Sequence, residues 1–294
     1  MPTGANFGFS RIVIVESLES HEVRTGTQIA EYVRALDGVN RLGMPVEVHN
    51  CETVFQFKEL VEALAHAART KGSCPLLHVE CHGDDEEGLE FENGSMLSWD
   101  DLSAALVELN RATRFNLMAV FSACYGAYFL SRLSSIDPAP CYAMLAPTEE
   151  ILPFEILATL REFYRVLFFT LDAGVAVDAV MRKELESGRW FAQQAELWYE
   201  RVSVGYIETH CTRTEMKARA RRMYEKLQST NARSPIGDLK RGLQQLNREN
   251  LLGKFFERYF MTEAIPENDH RFRAVRLRME ERLSQLRKTG RYGI

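Results

Sequence analysis

The sequence lacks the features that mark several large classes of protein. Its uninterrupted apolar runs are only a few residues long, so we expect no membrane-spanning helix. The chain begins MPTGANFGFSR, with no basic start followed by an apolar stretch, and we do not expect secretion. Six cysteines without a CxxC pair argue against a disulfide scaffold and against a structural zinc site. These absences predict a reduced, cytoplasmic protein.

Glycine patterns that bind phosphate are also missing. Neither GxGxxG nor GxxxxGK[ST] occurs, so nothing in the sequence indicates a dinucleotide or a P-loop nucleotide. The EF-hand pattern is absent too, and consecutive acids such as residues 84–87 seldom converge on one ion. We therefore expect neither a cofactor nor a metal ion.

The composition is that of a folded protein with more than one part. Hydrophobic residues make up 46% of 294 positions and charged residues 26%, which excludes wholesale disorder. The net charge of −5 conceals a division. Residues 1–210 hold 16 Lys and Arg against 31 Asp and Glu, whereas residues 211–294 hold 20 against 10. This asymmetry predicts a domain over 1–210 and a basic C-terminal extension over 211–294.

Strand and helix patterns alternate through the first part. Short apolar or β-branched runs predict strands over residues 11–16, 45–49, 75–81, 115–121 and 141–145. Helical spacing separates them over 25–36 and 55–68, from Ser98 onward, and over 153–171. The Asn93-Gly94 pair predicts a tight hairpin within 88–94. We expect an α/β fold with a mainly parallel central sheet flanked by helices.

His82 and Cys124 are the candidate catalytic residues, because each directly follows a predicted strand. Ligand sites of parallel sheets lie at the carboxyl ends of the strands, so neighbouring strands would bring the two side chains together. Imidazole can take the thiol proton, and the thiolate is the nucleophile in cysteine catalysis. Backbone N–H groups of Gly83 and Cys124 are the predicted oxyanion donors. The alternative is that Cys124 is simply a core residue, as most cysteines at strand ends are.

These two segments resemble a known family. LLHVECHG and MAVFSACYG resemble the His-Gly and Ala-Cys motifs of caspase-like cysteine peptidases, whose signature places a histidine about 50 residues before Q-A-C-[RQG]-G. The resemblance is greatest to the CHAT group, which is akin to separase and common in bacterial signalling and defence. His78, the hairpin over 88–94 and the helix after Trp99 match that group's layout. The resemblance covers about residues 10–210.

The resemblance implies a caspase-like sandwich and a hydrolase that cleaves a protein substrate. Cys124 would attack the peptide carbonyl, His82 would act as acid and base, and a regulatory partner would control a thiol protease of signalling or antiviral defence. Ser122 and Tyr125 depart from the caspase signature, and Glu80 places a carboxylate where a small or apolar residue is usual. These departures leave the substrate open and also admit an inactive, caspase-like scaffold that works by binding.

Three acidic residues are the candidates for selecting the substrate. Glu16, Asp84 and Asp85 are acids near the predicted strand ends, and they would suit a basic residue at the cleavage position. The alternative is a solvated loop on an acidic protein.

The basic extension is predicted to be helical and to bind a regulatory protein. Three apolar faces recur at helical spacing, around Met216, Phe256 and Met279. We expect Arg273, Arg276 and Arg278 to be solvated on the last helix. Nucleic acid is a weaker candidate partner because no aromatic-interleaved motif accompanies the arginines. Packing of the extension on the acidic domain is the structural alternative.

Overall fold

The computed structural model describes residues 8–132, 137–183, 189–229 and 235–294. Residues 1–7, on which the expectation about secretion depends, lie outside these ranges. Nine strands are defined in the described ranges: β1 (Arg11–Glu16), β2 (Val46–Asn50), β3 (Pro75–Glu80), β4 (His82–Asp84), β5 (Gly88–Glu90), β6 (Met96–Leu97), β7 (Met118–Ser122), β8 (Ala143–Pro147) and β9 (Trp190–Gln194).

Helices connect and follow the strands. Those with the strands are α1 (Thr25–Asn40), α2 (Val54–Lys71), α3 (Trp99–Ala112), α4 (Pro153–Thr170) and α5 (Ala173–Lys183), with a 3₁₀ helix at Gly126–Arg132. Those nearer the C-terminus are α6 (Ala195–His210), α7 (Arg213–Ser229), α8 (Ile236–Leu252), α9 (Lys254–Tyr259), α10 (Glu267–Arg271) and α11 (Arg273–Lys288).

The central sheet has six strands in the order β2-β1-β3-β7-β8-β9. The first five are parallel, and β9 pairs antiparallel with β8 at the edge. The prediction of an α/β fold with a mainly parallel central sheet is therefore confirmed. The sequence prediction missed β9, because Trp190–Gln194 has neither an apolar run nor clean alternation.

The core lies on both faces of this sheet. Ile12, Ile14 and Leu76 pack on one face against buried apolar residues of α1, α4 and α5. Val13 and Leu77 alternate with them and are fully buried, so they point to the other face. Right-handed crossovers place α2 and α3 there, since their connections run across the sheet in the direction opposite to that of α1. Helices α2 and α3 also pack against each other.

The direction of the connections reverses between β1 and β3. After β1 the chain passes through α1 to β2 on one side, and after β3 it passes through α3 to β7 on the other. The loops that leave two such neighbouring strands diverge and open a crevice at their carboxyl ends. That edge of the sheet is where His82 and Cys124 follow their strands.

A small antiparallel sheet begins at His82. Its order is β4-β5-β6, and Gly83 lies opposite Leu89 in the first strand pair. Gly94 adopts a left-handed φ of 78° in the turn between β5 and β6, so the hairpin predicted from Asn93-Gly94 is present. The strand β4 itself was not predicted, because three polar or glycine residues carry no strand pattern.

The chain forms two compact units. Among described residues, the first holds 8–132, 139–183 and 189–195, and the second holds 137–138, 196–229 and 235–294. The second unit thus includes most of α6, upstream of the charge boundary predicted at residue 211. Tyr199 of α6 explains the grouping, because its ring packs with those of Phe256, Tyr259 and Phe260 in the second unit.

Two of the three arginines expected to be solvated on α11 have partners. Arg276 is half-buried, with its guanidinium 4.2 Å from the ring centroid of Phe256 and 2.8 Å from a carboxylate oxygen of Asp269. Arg278 is exposed but pairs with Glu200 at 2.6 Å. The expectation of a solvated side chain holds for the exposed Arg273. It is wrong for Arg276, because the side chain of Arg276 packs on the ring of Phe256. Within the described ranges, no helix combines the length and apolar content needed to cross a bilayer.

Candidate active site

The strands that precede His82 and Cys124 are neighbours. In the parallel pair of β3 with β7, Glu80 lies opposite Ser122 at the carboxyl ends. His82 follows Glu80 by two positions and Cys124 follows Ser122 by two, so both candidates leave the same edge of the sheet. The predicted site required the strands before His82 and Cys124 to be neighbours, and β3 and β7 are paired.

The two segments are in contact through Gly83. A β-carbon placed on Gly83 would lie 2.2 Å from the carbonyl oxygen of Cys124 and 3.2 Å from the β-carbon of Ala123. Only a residue without a side chain permits this approach. The backbone that carries His82 therefore packs directly on the backbone that carries Cys124, although 42 positions separate the two residues in the sequence.

Cys124 begins a tight turn at the edge of the core. Its side chain is half-buried and packs on the apolar cluster beneath the sheet. The N–H of Gly126 donates to the carbonyl of Ala123, and the N–H of Tyr125 donates to the carbonyl of Glu149. Across the described ranges, the N–H of Cys124 itself has no acceptor. It is therefore a donor that an oxyanion can use.

Tyr125 shows that this turn is constrained. Its φ of 58° lies in the left-handed region, which is uncommon for a residue with a β-carbon. Its ring packs edge-on against Tyr128 with 5.6 Å between the centroids. Partial burial and the charges of Glu150 and Asp85 raise the pKa of Tyr125. A conformation of this kind persists only when the surrounding structure fixes it, and it is common at functional sites.

His82 projects from β4 with 54% of its side chain exposed. Its Nε2 lies 2.8 Å from Oε1 of Glu22, a residue of the loop between β1 and α1. Glu90 lies opposite His82 in the antiparallel pair of β4 with β5. The sequence prediction missed Glu22. The signal available for it was its place after the first strand, at the sheet edge where the other candidates lie.

His78, the histidine that also matched the family layout, is wholly buried in β3. Its Nε2 lies 2.7 Å from Oγ of Ser122, and its Nδ1 lies 3.3 Å from the hydroxyl of Tyr164. Burial lowers the pKa of His78 to about 3, so the ring is neutral at physiological pH. Both ring nitrogens are engaged inside the core, and His78 therefore holds β3 and β7 in place rather than meeting substrate.

Glu16 and Glu80 form a buried acidic pair beneath the site. They lie opposite each other at the ends of β1 and β3, each with 1% of its surface exposed. Glu16 accepts hydrogen bonds from the N–H and hydroxyl of Thr27 and from Arg24. Neither carboxyl oxygen of Glu80 has a partner in the described ranges, and burial, followed by the charge of Glu16, raises its pKa well above the usual value.

Because Glu16 is buried, it is not available to contact a substrate in the way that the sequence had suggested. Its carboxylate turns inward to the first residues of α1, where Gly26 leaves room for the carboxyl groups of both Glu80 and Glu16. Asp84 is exposed, but its Oδ1 accepts the N–H groups of Glu86 and Glu87, which lower its pKa and stabilise the turn. Asp85 is half-buried, and its charge is one of those that raise the pKa of Tyr125, the residue after Cys124.

All six cysteines lie in described ranges, and none of them forms a disulfide. Burial raises the pKa of Cys51 to about 11 and that of Cys141 to about 12, and it also raises the pKa values of Cys81 and Cys211. Cys74 and Cys124 are the two that are not buried. Cys74 precedes β3 at the opposite edge of the sheet, where its thiol contacts the carbonyl of Asn116 at 3.1 Å.

Metal chemistry has no donor set in the part of the chain that the structure describes. No three His, Cys, Asp or Glu side chains come together there at distances that would hold an ion. The arrangement is suited instead to thiol chemistry, with one half-buried cysteine, one exposed histidine and a backbone donor.

The chain matches no protein-family model and no curated protein sequence. The resemblance to caspase-like peptidases therefore depends on the sequence motifs. The geometry around these motifs is the basis for a functional proposal.

Proposed function

We propose that the protein is a cysteine endopeptidase in which Cys124 is the nucleophile and His82 is the general acid and base. The observation that carries the proposal is the packing of Gly83 on the carbonyl of Cys124 at the carboxyl edge of the sheet. It sets a histidine and a half-buried thiol on touching backbone segments, and thiol catalysis requires the two side chains to come within hydrogen-bond reach.

The reaction follows from these groups. The imidazole of His82 takes the thiol proton, and the sulfur of Cys124 attacks the scissile carbonyl carbon. The oxygen becomes negatively charged and accepts the N–H of Cys124, with Gly83 the second proposed donor. His82 then gives its proton to the leaving amine as the carbon–nitrogen bond breaks. Water, deprotonated by His82, hydrolyses the thioester and restores the thiol.

The fold is consistent with a caspase-like sandwich, which we include in the proposal. Five parallel strands with helices on both faces carry the candidates, and a small antiparallel sheet follows the histidine. We further propose that a regulatory protein binds the basic C-terminal helices. Their exposed arginines, such as Arg273, offer positive charge, and the first 210 residues are acidic.

Alkylation of Cys124 by iodoacetamide tests the dyad without knowledge of the substrate. We expect Cys124 to react faster than Cys74 in the native protein near neutral pH, because an imidazole beside it generates the thiolate. His82→Ala should slow alkylation of Cys124 about tenfold or more and leave Cys74 unchanged. Mass spectrometry of digested protein follows both sites in one sample.

Cys74→Ser provides the matched control, since it removes the other cysteine that is not buried, which precedes β3 at the opposite end of the parallel strands. The fold of each variant is checked by thermal unfolding, so that a change in alkylation is not mistaken for a loss of structure. Equal alkylation of Cys124 in the wild type and in His82→Ala would mean that the two side chains do not interact, and the proposal would fail.

A further inference from the structure

Glu22 is the described side chain that contacts the exposed histidine of the candidate dyad. It lies in the loop that leaves β1 for α1, and its Oε1 is 2.8 Å from Nε2 of His82. The side chain of Glu22 is 22% exposed, so the contact is partly shielded from water. No role for Glu22 was predicted from the sequence.

The loop holds the carboxylate in this place. The N–H of Glu19 donates to Oε2 of Glu22 at 2.6 Å, and the N–H of Glu22 donates to the carbonyl of Glu19 at 3.0 Å. These reciprocal bonds close a short turn and leave Oε1 directed at His82. The N–H of Glu19 therefore orients the carboxylate independently of the imidazole, and the contact with His82 costs little additional side-chain entropy.

The nitrogen that Glu22 contacts determines what the other nitrogen can do. A carboxylate accepts hydrogen bonds, so the proton of the neutral ring lies on Nε2. Nδ1 is then left with its lone pair. A general base needs that lone pair, and a third group that fixes the tautomer is the usual companion of a nucleophile and its base.

We propose that Glu22 is a positioning residue that holds His82 in the Nε2–H tautomer and thereby leaves Nδ1 to take the proton of Cys124. The statement about Cys124 rests on the proposed peptidase function. The contact between Glu22 and His82 does not, and the two can be tested apart.

Glu90 is the carboxylate that makes the inference testable. It lies directly opposite His82 across the antiparallel strands and is exposed, and directly opposed residues share one face of a sheet. If negative charge near the ring were sufficient, Glu90 would serve as well as Glu22. If a fixed acceptor at Nε2 is required, only Glu22 matters.

The experiment is nitrogen NMR of the full-length protein labelled with ¹⁵N-histidine, at a pH where the ring is neutral. His82→Ala identifies the signals of residue 82. We expect the wild type and Glu90→Gln to show the proton on Nε2. Glu22→Ala should show a mixture of tautomers, and Glu22→Gln, whose amide oxygen can still accept the bond, should retain more of the Nε2–H form.

The same variants are alkylated with iodoacetamide. Glu22→Ala should slow the reaction of Cys124 about tenfold, the equivalent of one hydrogen bond to a charged group. Glu22→Gln should recover part of the rate, and Glu90→Gln should react like the wild type. An unchanged tautomer in Glu22→Ala, or an equal change in Glu90→Gln, would overturn the role of Glu22.

The two proposals fail in different ways. If Glu22→Ala changes the tautomer but Cys124 reacts equally fast with and without His82, the contact is real and the peptidase proposal falls. If His82 accelerates Cys124 but the tautomer ignores Glu22, the dyad stands and the positioning role falls.

Discussion

Glu80 lies in an environment that disfavours its charged form. Both of its oxygens are buried without a partner in the described ranges, and the carboxylate of Glu16 lies opposite. A buried carboxylate in that position is costly, and the physical response is to retain the proton. The free energy of unfolding should therefore depend on pH through this carboxyl group.

Glu80→Gln tests this dependence. The pKa of Glu80 in the folded protein is raised above its ordinary value of 4.5. Below that pH both states hold the proton; above it the unfolded chain releases the proton, and the contribution is lost as pH rises through the folded pKa. Glutamine has no proton to lose, so its advantage should grow from pH 4.5 to pH 8 and reach about 1 kcal/mol or more.

Thermal unfolding of the two proteins across this pH range measures the difference. Glu90→Gln is the control, because an exposed carboxylate should leave the profile unchanged. A difference between Glu80→Gln and the wild type that does not vary with pH would show that Glu80 is ionised in the fold.

At the scale of elements, the contact between β4 and the turn after β7 brings the segment of His82 next to the segment of Cys124. Gly83→Ala should break it, because the new methyl group would meet the carbonyl oxygen of Cys124. Overpacking against backbone costs about 1–3 kcal/mol and displaces the segments. We expect lower thermal stability and a slower reaction of Cys124 with iodoacetamide.

Gly38→Ala is the matched control for this substitution. Gly38 lies within α1 and has no atom within 4 Å of an added β-carbon, so alanine there should stabilise the helix by up to about 1 kcal/mol. Normal reactivity of Cys124 in Gly83→Ala would mean that the close approach is not needed to form the site.

Elements with a regular hydrophobic period were predictable from the sequence, and those without one were not. The buried runs of β1 and β3 and the cap of α3, where the N–H of Asp101 donates to Oγ of Ser98, carry local signals. Helix α8 was not predicted as a separate helix, because only Leu243, Asn247 and Leu251 are buried along its 17 residues. Edge strand β9 depends on its pairing with β8, which no local pattern records.

The candidate site shows the same limit. His82 and Cys124 were found because strand ends mark the functional edge of a parallel sheet. Glu22 was missed because its role depends on a loop conformation fixed by Glu19, and loop geometry leaves no period in the sequence. Glu16 was predicted as a substrate-selecting acid because it ends the first strand, whereas its hydrogen bonds with Thr27 and Arg24 allow it to be buried.

At the scale of the whole molecule, the chain divides into a unit that carries the candidate site and a helical unit with an aromatic centre. Charge and packing divide it at different places. The charge reverses near residue 211, but α6 belongs with the second unit because Tyr199 and Ile207 are buried in its apolar clusters. A variant that ends at residue 210 would therefore expose apolar surface and is a poor test of the extension.

Cleavage of a proteome-derived peptide library by the full-length protein tests directly whether Cys124 and His82 form a peptidase site. Mass spectrometry of the new N-termini compares the wild type with Cys124→Ala and His82→Ala at equal concentration. We expect cleavages with a shared residue preference in the wild type and none in either variant, whose thermal unfolding should stay near that of the wild type. Identical termini in all three samples would show that Cys124 and His82 do not catalyse the cleavage.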